Sequence, residues 1–194
     1  MGCCIIAQGC GRAACNVLNH DTVKETTVTL YSVDTLMAQA RKLAADYRAT
    51  TGKPLAGISS EIAEYDAARL LDLELCQERV GGFDAIGRGS RAGKRVQIKG
   101  RAIFDEKKGG QRIGQLKTEQ QWDSVVLVLM DEQFEPYEIY EADREDITQV
   151  LAESNSSRSK RGAMSVARFK IIGRLVWTRE EGAIDDEVWD NQAR

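Results

Sequence analysis

Apolar residues recur at helical spacing between Val33 and Ala49. Leu36, Ala40, Leu43, Ala44 and Tyr47 share one side of a helix that Ser32 is placed to cap. Thr50–Gly57 contains Gly52, Pro54 and Gly57 and breaks the pattern. A second helix is expected over about 60–73, capped by Ser59 or Ser60, with Ala63, Ala67, Leu70 and Leu71 as its core stripe. Gly81-Gly82 then leads into two short strands, Gly82-Phe-Asp-Ala-Ile86 and Gly93-Lys-Arg-Val-Gln-Ile-Lys-Gly-Arg101, joined by a Gly-rich turn.

Residues 105–120 are polar and show no clear period. Ser124–Met130 is a continuous apolar run, the mark of a strand buried on both faces. Phe134–Ala142 alternates loosely and reads as the next strand, Arg144–Glu153 as a short helix, and 155–162 as a Ser- and Arg-rich loop. A final helix is expected over Ser165–Val176, with Val166, Phe169, Ile172 and Val176 inward. The order of two helices, four strands and two helices predicts an α/β protein with a central mixed sheet.

Length and composition fit one domain: 194 residues, 42% hydrophobic and 29% charged. Residues 1–30 are read as a disordered, Cys-rich extension, 31–180 as the folded domain and 181–194 as an acidic tail. No apolar run is long enough to span a membrane. Four of the five Cys (Cys3, Cys4, Cys10 and Cys15) lie in the extension and the fifth is Cys76. The odd count and the absence of framework or zinc spacing point to a reducing, cytoplasmic setting. Met1-Gly-Cys-Cys has the start of a myristoylation signal, but residue 6 is Ile. His20, the one His, falls in the extension, which argues against histidine acid–base chemistry.

Net charge is −3 and excludes nothing, but its distribution is uneven. Six Lys/Arg and no acid lie between Ala85 and Phe104, and six more without an acid between Ser154 and Thr178. Asp131–Asp146 holds eight acids and one Arg. This predicts a basic face and an acidic face.

The candidate chemistry sits on the two short strands. Asp84 lies between apolar neighbours, where a carboxylate needs a reason. Gln97 and Lys99 are two apart, so they share the strand face opposite Val96 and Ile98. A carboxylate, a carboxamide oxygen and an ammonium brought together are suited to magnesium-dependent phosphodiester hydrolysis. Glu61 and Glu64 are three apart on the preceding helix, so either is a further candidate ligand, with Glu64 preferred. Gly87-Arg-Gly-Ser-Arg-Ala92 has the form of a dinucleotide fingerprint but leads into a strand, so its mechanism is missing.

A helix Glu, then Asp84, then Gln97-x-Lys99 resembles the PD-(D/E)XK nuclease superfamily, the restriction-endonuclease-like fold, with the Gln variant of the last motif. The segments 61–71, 82–86, 97–101, 122–129 and 161–170 are similar to an uncharacterised bacterial group within it. The resemblance covers about 55–178. It implies a four- to five-stranded mixed sheet flanked by helices and cleavage of a nucleic-acid backbone, most simply DNA, with Mg²⁺ or Mn²⁺. It also implies metal ligation by Asp84, Glu64 (or Glu61) and Gln97, with Lys99 assisting the nucleophile. Gln97 stands where the family usually has an acid, which removes one negative charge from the metal site. Phe83 stands at the position of the motif's Pro.

The basic segments acquire a role in this frame. Arg88, Arg91, Lys94, Arg95 and Arg101 are expected to flank the metal site. Arg158, Lys160, Arg161, Arg168 and Lys170 form a second candidate clamp on the phosphate backbone. Two alternatives stand beside the nuclease: a nucleic-acid-binding module of the same fold with weak or no chemistry, and a structural protein whose acidic stretch contacts a partner. A homodimer is compatible with the sequence.

Overall fold

The computed structural model describes residues 32–78, 81–105, 110–116, 118–153 and 162–184. The expected extension over 1–30 and most of the acidic tail lie outside these residues. The element order is α1 (Val33–Thr51), α2 (Ile58–Leu70), β1 (Leu73–Leu75), β2 (Ala85–Gly87) and β3 (Arg95–Ala102). It continues with β4 (Arg112–Gln115), β5 (Ser124–Met130), β6 (Pro136–Asp143), α3 (Arg144–Glu153), β7 (Ala163–Ser165), α4 (Val166–Ile172), β8 (Arg174–Thr178) and β9 (Gly182–Ala183).

The architecture is mixed α/β. One curled sheet runs β1-β2-β3-β5-β6-β8-β9, and β4 pairs with β7 apart from it. The sheet has seven strands where four or five are expected. The extra strands come from short segments with little periodicity. Leu73–Leu75 pairs with β2 instead of extending the second helix. Gly173 ends α4 early, so Arg174–Thr178 pairs with β6 and Val176 is a strand residue rather than a helical one. Gly182–Ala183 adds an edge strand just past the expected boundary at 180. β3 and β5 are parallel, and the other pairings in this sheet are antiparallel.

The all-apolar β5 is buried along its whole length, as its composition requires. Its alternating side chains divide the interior in two. Val126, Val128 and Met130 join Ala85, Val96, Ile98 and the residues of α1 and α2 on one face. Val125, Leu127 and Leu129 join Trp122, Ile147, Met164, Val166 and Phe169 on the other. We call these the α2 face and the α4 face.

Ser32 caps α1, its Oγ accepting the Thr35 N–H at 3.2 Å. The buried side of that helix differs from expectation. Leu36, Leu43 and Tyr47 are exposed, while Arg41 and Ala44 are buried. Arg41 reaches Asp66 of α2 at 2.5 Å, and Asp66 is wholly buried. It also donates to the Phe134 carbonyl. A charged anchor between helices thus outweighs the apolar stripe. At the start of α2 the N-cap position is Gly57, with no side-chain cap bond, rather than Ser59 or Ser60. α2 crosses β3 at Gly100. A Cβ on Gly100 would lie 2.5 Å from Ala63 Cβ and 2.6 Å from the Ser59 carbonyl oxygen, so only glycine admits this approach.

Candidate active site

Asp84 precedes β2, and its backbone continues the ladder: its N–H donates to the Val96 carbonyl at 2.8 Å and its carbonyl accepts from the Cys76 N–H at 2.9 Å. Extending the β2–β3 register, Ala85 opposite Val96, sets Asp84 opposite Gln97, and directly opposed residues share a face. Asp84 Oδ2 accepts the Ile98 N–H at 2.8 Å. The side chain therefore takes a backbone donor that a regular strand would satisfy, and the strands separate at this point. That donor is invisible in any pattern of side chains.

Gln97 is 6% exposed. Its Nε2 donates to the Gly82 carbonyl at 2.9 Å, which fixes the amide and directs Oε1 the other way. Oε1 is buried and has no hydrogen-bond partner. A lone buried carboxamide oxygen costs stability unless something else satisfies it. Gly82 makes this arrangement possible: it has φ +89°, and a Cβ there would overlap the Gln120 side chain. Lys99, half-buried, lies two residues beyond Gln97 on the same α4 face. The Cys76 thiol near Asp84 is pushed up by burial and then by the Asp84 and Glu74 carboxylates, so it is a poor nucleophile.

By register and alternation, Asp84, Gln97 and Lys99 share one side of β3. Glu61 and Glu64 are both on α2, which packs on Val96, Ile98 and Gly100; Glu61 is exposed and Glu64 half-buried. Among the described residues, no group of three or more His, Cys, Asp or Glu side chains could hold a metal. The donors that fit a hard cation here are one carboxylate and the unsatisfied Gln97 oxygen. This suits an ion that keeps several waters, as Mg²⁺ does.

The expected cations divide among different surroundings. Arg95 grips Asp123, with Nη2 to Oδ1 at 2.7 Å and Nε to Oδ2 at 2.9 Å, and holds that carboxyl down to about 2. Arg101, on the same side as Lys99, bonds to the Gly100 and Arg112 carbonyls, and its burial lowers its pKa. Lys170 binds Glu138 at 2.7 Å and lies over the Tyr140 ring. Arg168 is exposed on α4. Arg158, Lys160 and Arg161 lie outside the described residues.

Arg91 and Lys94 do not flank Asp84 on the α4 face. They turn to the α2 face, where they meet Glu141 and Asp143 of β6. Arg88 pairs with Glu74, which stands opposite Ile86 and so on the α4 side. The acidic stretch likewise forms no face of its own. Asp131 pairs with Arg179, Glu135 with Arg41, Glu138 with Lys170, Glu141 with Arg91 and Asp143 with Lys94. β6 sits in mid-sheet, and its acids serve as partners for basic segments remote in sequence.

No helix among the described residues is long and apolar enough to cross a membrane. No protein-family model matches the chain. No curated protein matches it either.

Proposed function

We propose that this protein is a metal-dependent phosphodiester hydrolase of the restriction-endonuclease-like kind, acting on nucleic acid, most simply DNA. The observation that carries the reading is the buried, partnerless Oε1 of Gln97 beside the Asp84 carboxylate. Asp84 and Gln97 would hold Mg²⁺ or Mn²⁺. When bound, the ion supplies Lewis acidity and a water of lowered pKa.

This chain's own groups then have separable roles. The Ile98 N–H holds the Asp84 carboxylate in place. The Gly82 carbonyl holds the Gln97 amide so that its oxygen, not its nitrogen, faces the site. The Lys99 ammonium balances negative charge developing on the phosphate. Lys99, Arg101 and Arg168 offer positive charge to the backbone, giving salt-dependent and largely sequence-independent affinity.

The test is Mg²⁺ and Mn²⁺ titration by calorimetry, paired with cleavage of duplex DNA, single-stranded DNA and RNA. Metal binding and cleavage should disappear in Asp84→Ala, and cleavage alone in Lys99→Ala. Full metal-dependent cleavage by Asp84→Ala would overturn the assignment.

One observation favours a second reading. The neutral Gln97 and the absence of a three-carboxylate cluster among the described residues suit a module that binds nucleic acid without cutting it. Duplex binding in EDTA equal to that in Mg²⁺, with no cleavage under either condition, would select it.

A further inference from the structure

Polar contacts, rather than its apolar residues, seat α1 on the domain. Arg41 bonds to the buried Asp66 at 2.5 Å and to the Phe134 carbonyl. The Arg48 guanidinium lies 3.6 Å over the Phe104 ring, and Tyr65 of α2 donates to Asp34. Ala44 is the one fully buried apolar residue of the helix. The large apolar side chains point away: Val33 and Leu43 are 59% exposed, Leu36 46% and Tyr47 40%. Among the described residues, these are four of the six large apolar side chains left exposed, so the exposed apolar surface is concentrated in one stripe.

The stripe has the spacing of a helix–helix seam. Val33, Leu36, Ala40, Leu43 and Tyr47 are separated by three, four, three and four residues, the a/d alternation of a heptad. Its solvent border is Thr35, Gln39, Lys42 and Asp46, with Lys42 bound to Asp46 at 2.8 Å. A lipid surface or a phosphate backbone calls for a run of cations beside the apolar residues, and this border holds one, already paired. The border suits instead a partner helix with balanced charge. Because the contacts of Arg41, Arg48 and Asp34 already hold α1 in place, such a partner meets a preorganised surface and no helix has to be ordered on binding.

The stripe is complementary to itself. When a second α1 is laid antiparallel with Ala40 facing Leu43 of the other copy, small meets large twice about the two-fold axis, and Leu36 faces Tyr47 twice outside them. Reversal of direction also brings Asp46 of each copy toward Gln39 of the other, an acceptor beside a donor amide, and sets the two helix dipoles head to tail. Layers of this kind with their borders bury on the order of 1,000 Å² in total, the lower end of specific interfaces. We infer that α1 is a self-association surface, through which two copies of this chain pair by antiparallel α1 helices in a weak dimer with a Kd of about 10–100 μM. This inference does not depend on the hydrolase reading.

The test is sedimentation of the full chain from about 5 to 500 μM, a range that brackets the expected Kd, under reducing conditions that keep its cysteines from cross-linking. Wild type should pass from monomer to dimer as concentration rises. Leu43→Glu and Leu43→Lys should each dimerise at least about tenfold more weakly, since both copies of residue 43 lie beside the two-fold axis and like charges there repel. An equimolar mixture of the two variants should recover the dimer, because opposite charges then meet across the axis. Leu43 is 59% exposed, so dilute samples of either variant should keep the wild-type far-UV circular dichroism and Tm. Ile171→Glu, at the exposed end of α4, should dimerise as wild type does. A wild type that stays monomeric throughout would overturn the inference, as would a Leu43→Glu dimer as tight as wild type or a mixture no more dimeric than either variant alone. So would a dilute Leu43→Glu monomer melting well below wild type, which would show the stripe to be covered from within the chain.

Discussion

Gln97→Glu sets a second carboxylate opposite Asp84, and its consequences can be worked out from the contacts of the two residues. The substitution removes the Nε2 donor to the Gly82 carbonyl and sets two acceptors against each other across 2.9 Å. A buried acceptor left without its donor costs about 1–3 kcal/mol. The new carboxylate sits at a position only 6% exposed, directly opposite Asp84. Two carboxylates so placed cannot both ionise without penalty, so one takes up a proton and its pKa rises. A raised folded-state pKa on an acid means stability present at low pH and lost as pH rises toward neutral. At neutral pH without metal, the variant should be about 2–4 kcal/mol less stable than wild type, a fall in Tm of very roughly 5–15 °C for a chain of this size.

A divalent cation reverses the sign of that penalty, since it is satisfied by two carboxylates better than by one and an amide. Mg²⁺ at a hundredfold excess over its Kd returns about 2.7 kcal/mol. The assay is thermal unfolding of wild type and Gln97→Glu, each in EDTA and in Mg²⁺, across pH 5–8. The variant should melt lower in EDTA, with the gap widening as pH rises, and gain more from Mg²⁺ than wild type does. Asp84→Ala in the Gln97→Glu background should abolish the extra gain. A Mg²⁺-induced shift no larger in Gln97→Glu than in wild type would refute the reasoning, because Asp84 and residue 97 would then not share a cation.

Two further outcomes are expected from ion pairs outside the site. Arg41→Met leaves the fully buried Asp66 carboxylate without its partner and should cost about 3–5 kcal/mol in urea unfolding, whereas Arg41→Met/Asp66→Leu should recover most of that; a double variant whose loss is the sum of the two single losses would contradict the pairing. Asp123, held down to about 2 by Arg95, contributes stability that is full above about pH 4 and fades as pH falls through about 2. Both partners are 37% exposed, so solvent screening leaves about 1 kcal/mol or less. The stability gap between wild type and Asp123→Asn should therefore close between pH 5 and pH 2, and a gap that widened would contradict it.

What the chain reveals in sequence and what it conceals follow from how far apart the cooperating groups lie. β5 was legible because its seven residues are all apolar, and burial on both faces has no other simple pattern. The shared side of Gln97 and Lys99 was legible because strand alternation is local. α1 was misleading for the opposite reason. Its apolar stripe at Leu36, Leu43 and Tyr47 is as regular as a buried one, but the decisive contact is Arg41 to Asp66, 25 residues away. The same distance problem governs the charges. Basic runs and an acidic run along the chain suggest two faces, yet folding interleaves them. Glu141 meets Arg91 across 50 residues, and Asp143 meets Lys94 across 49. β6 becomes a spine of anions in mid-sheet, to which the hairpin turn and β8 bring their cations. That inversion matters for function. Cations that look in sequence like one patch around Asp84 divide between the two faces of the sheet. Arg95 and Arg101 share a side with Lys99, while Arg91 and Lys94 are drawn through to Glu141 on the α2 face. One basic hairpin thus supplies cations to both faces of the sheet, and the strand alternation that separates them is also what allows a variant on one face to leave the other intact.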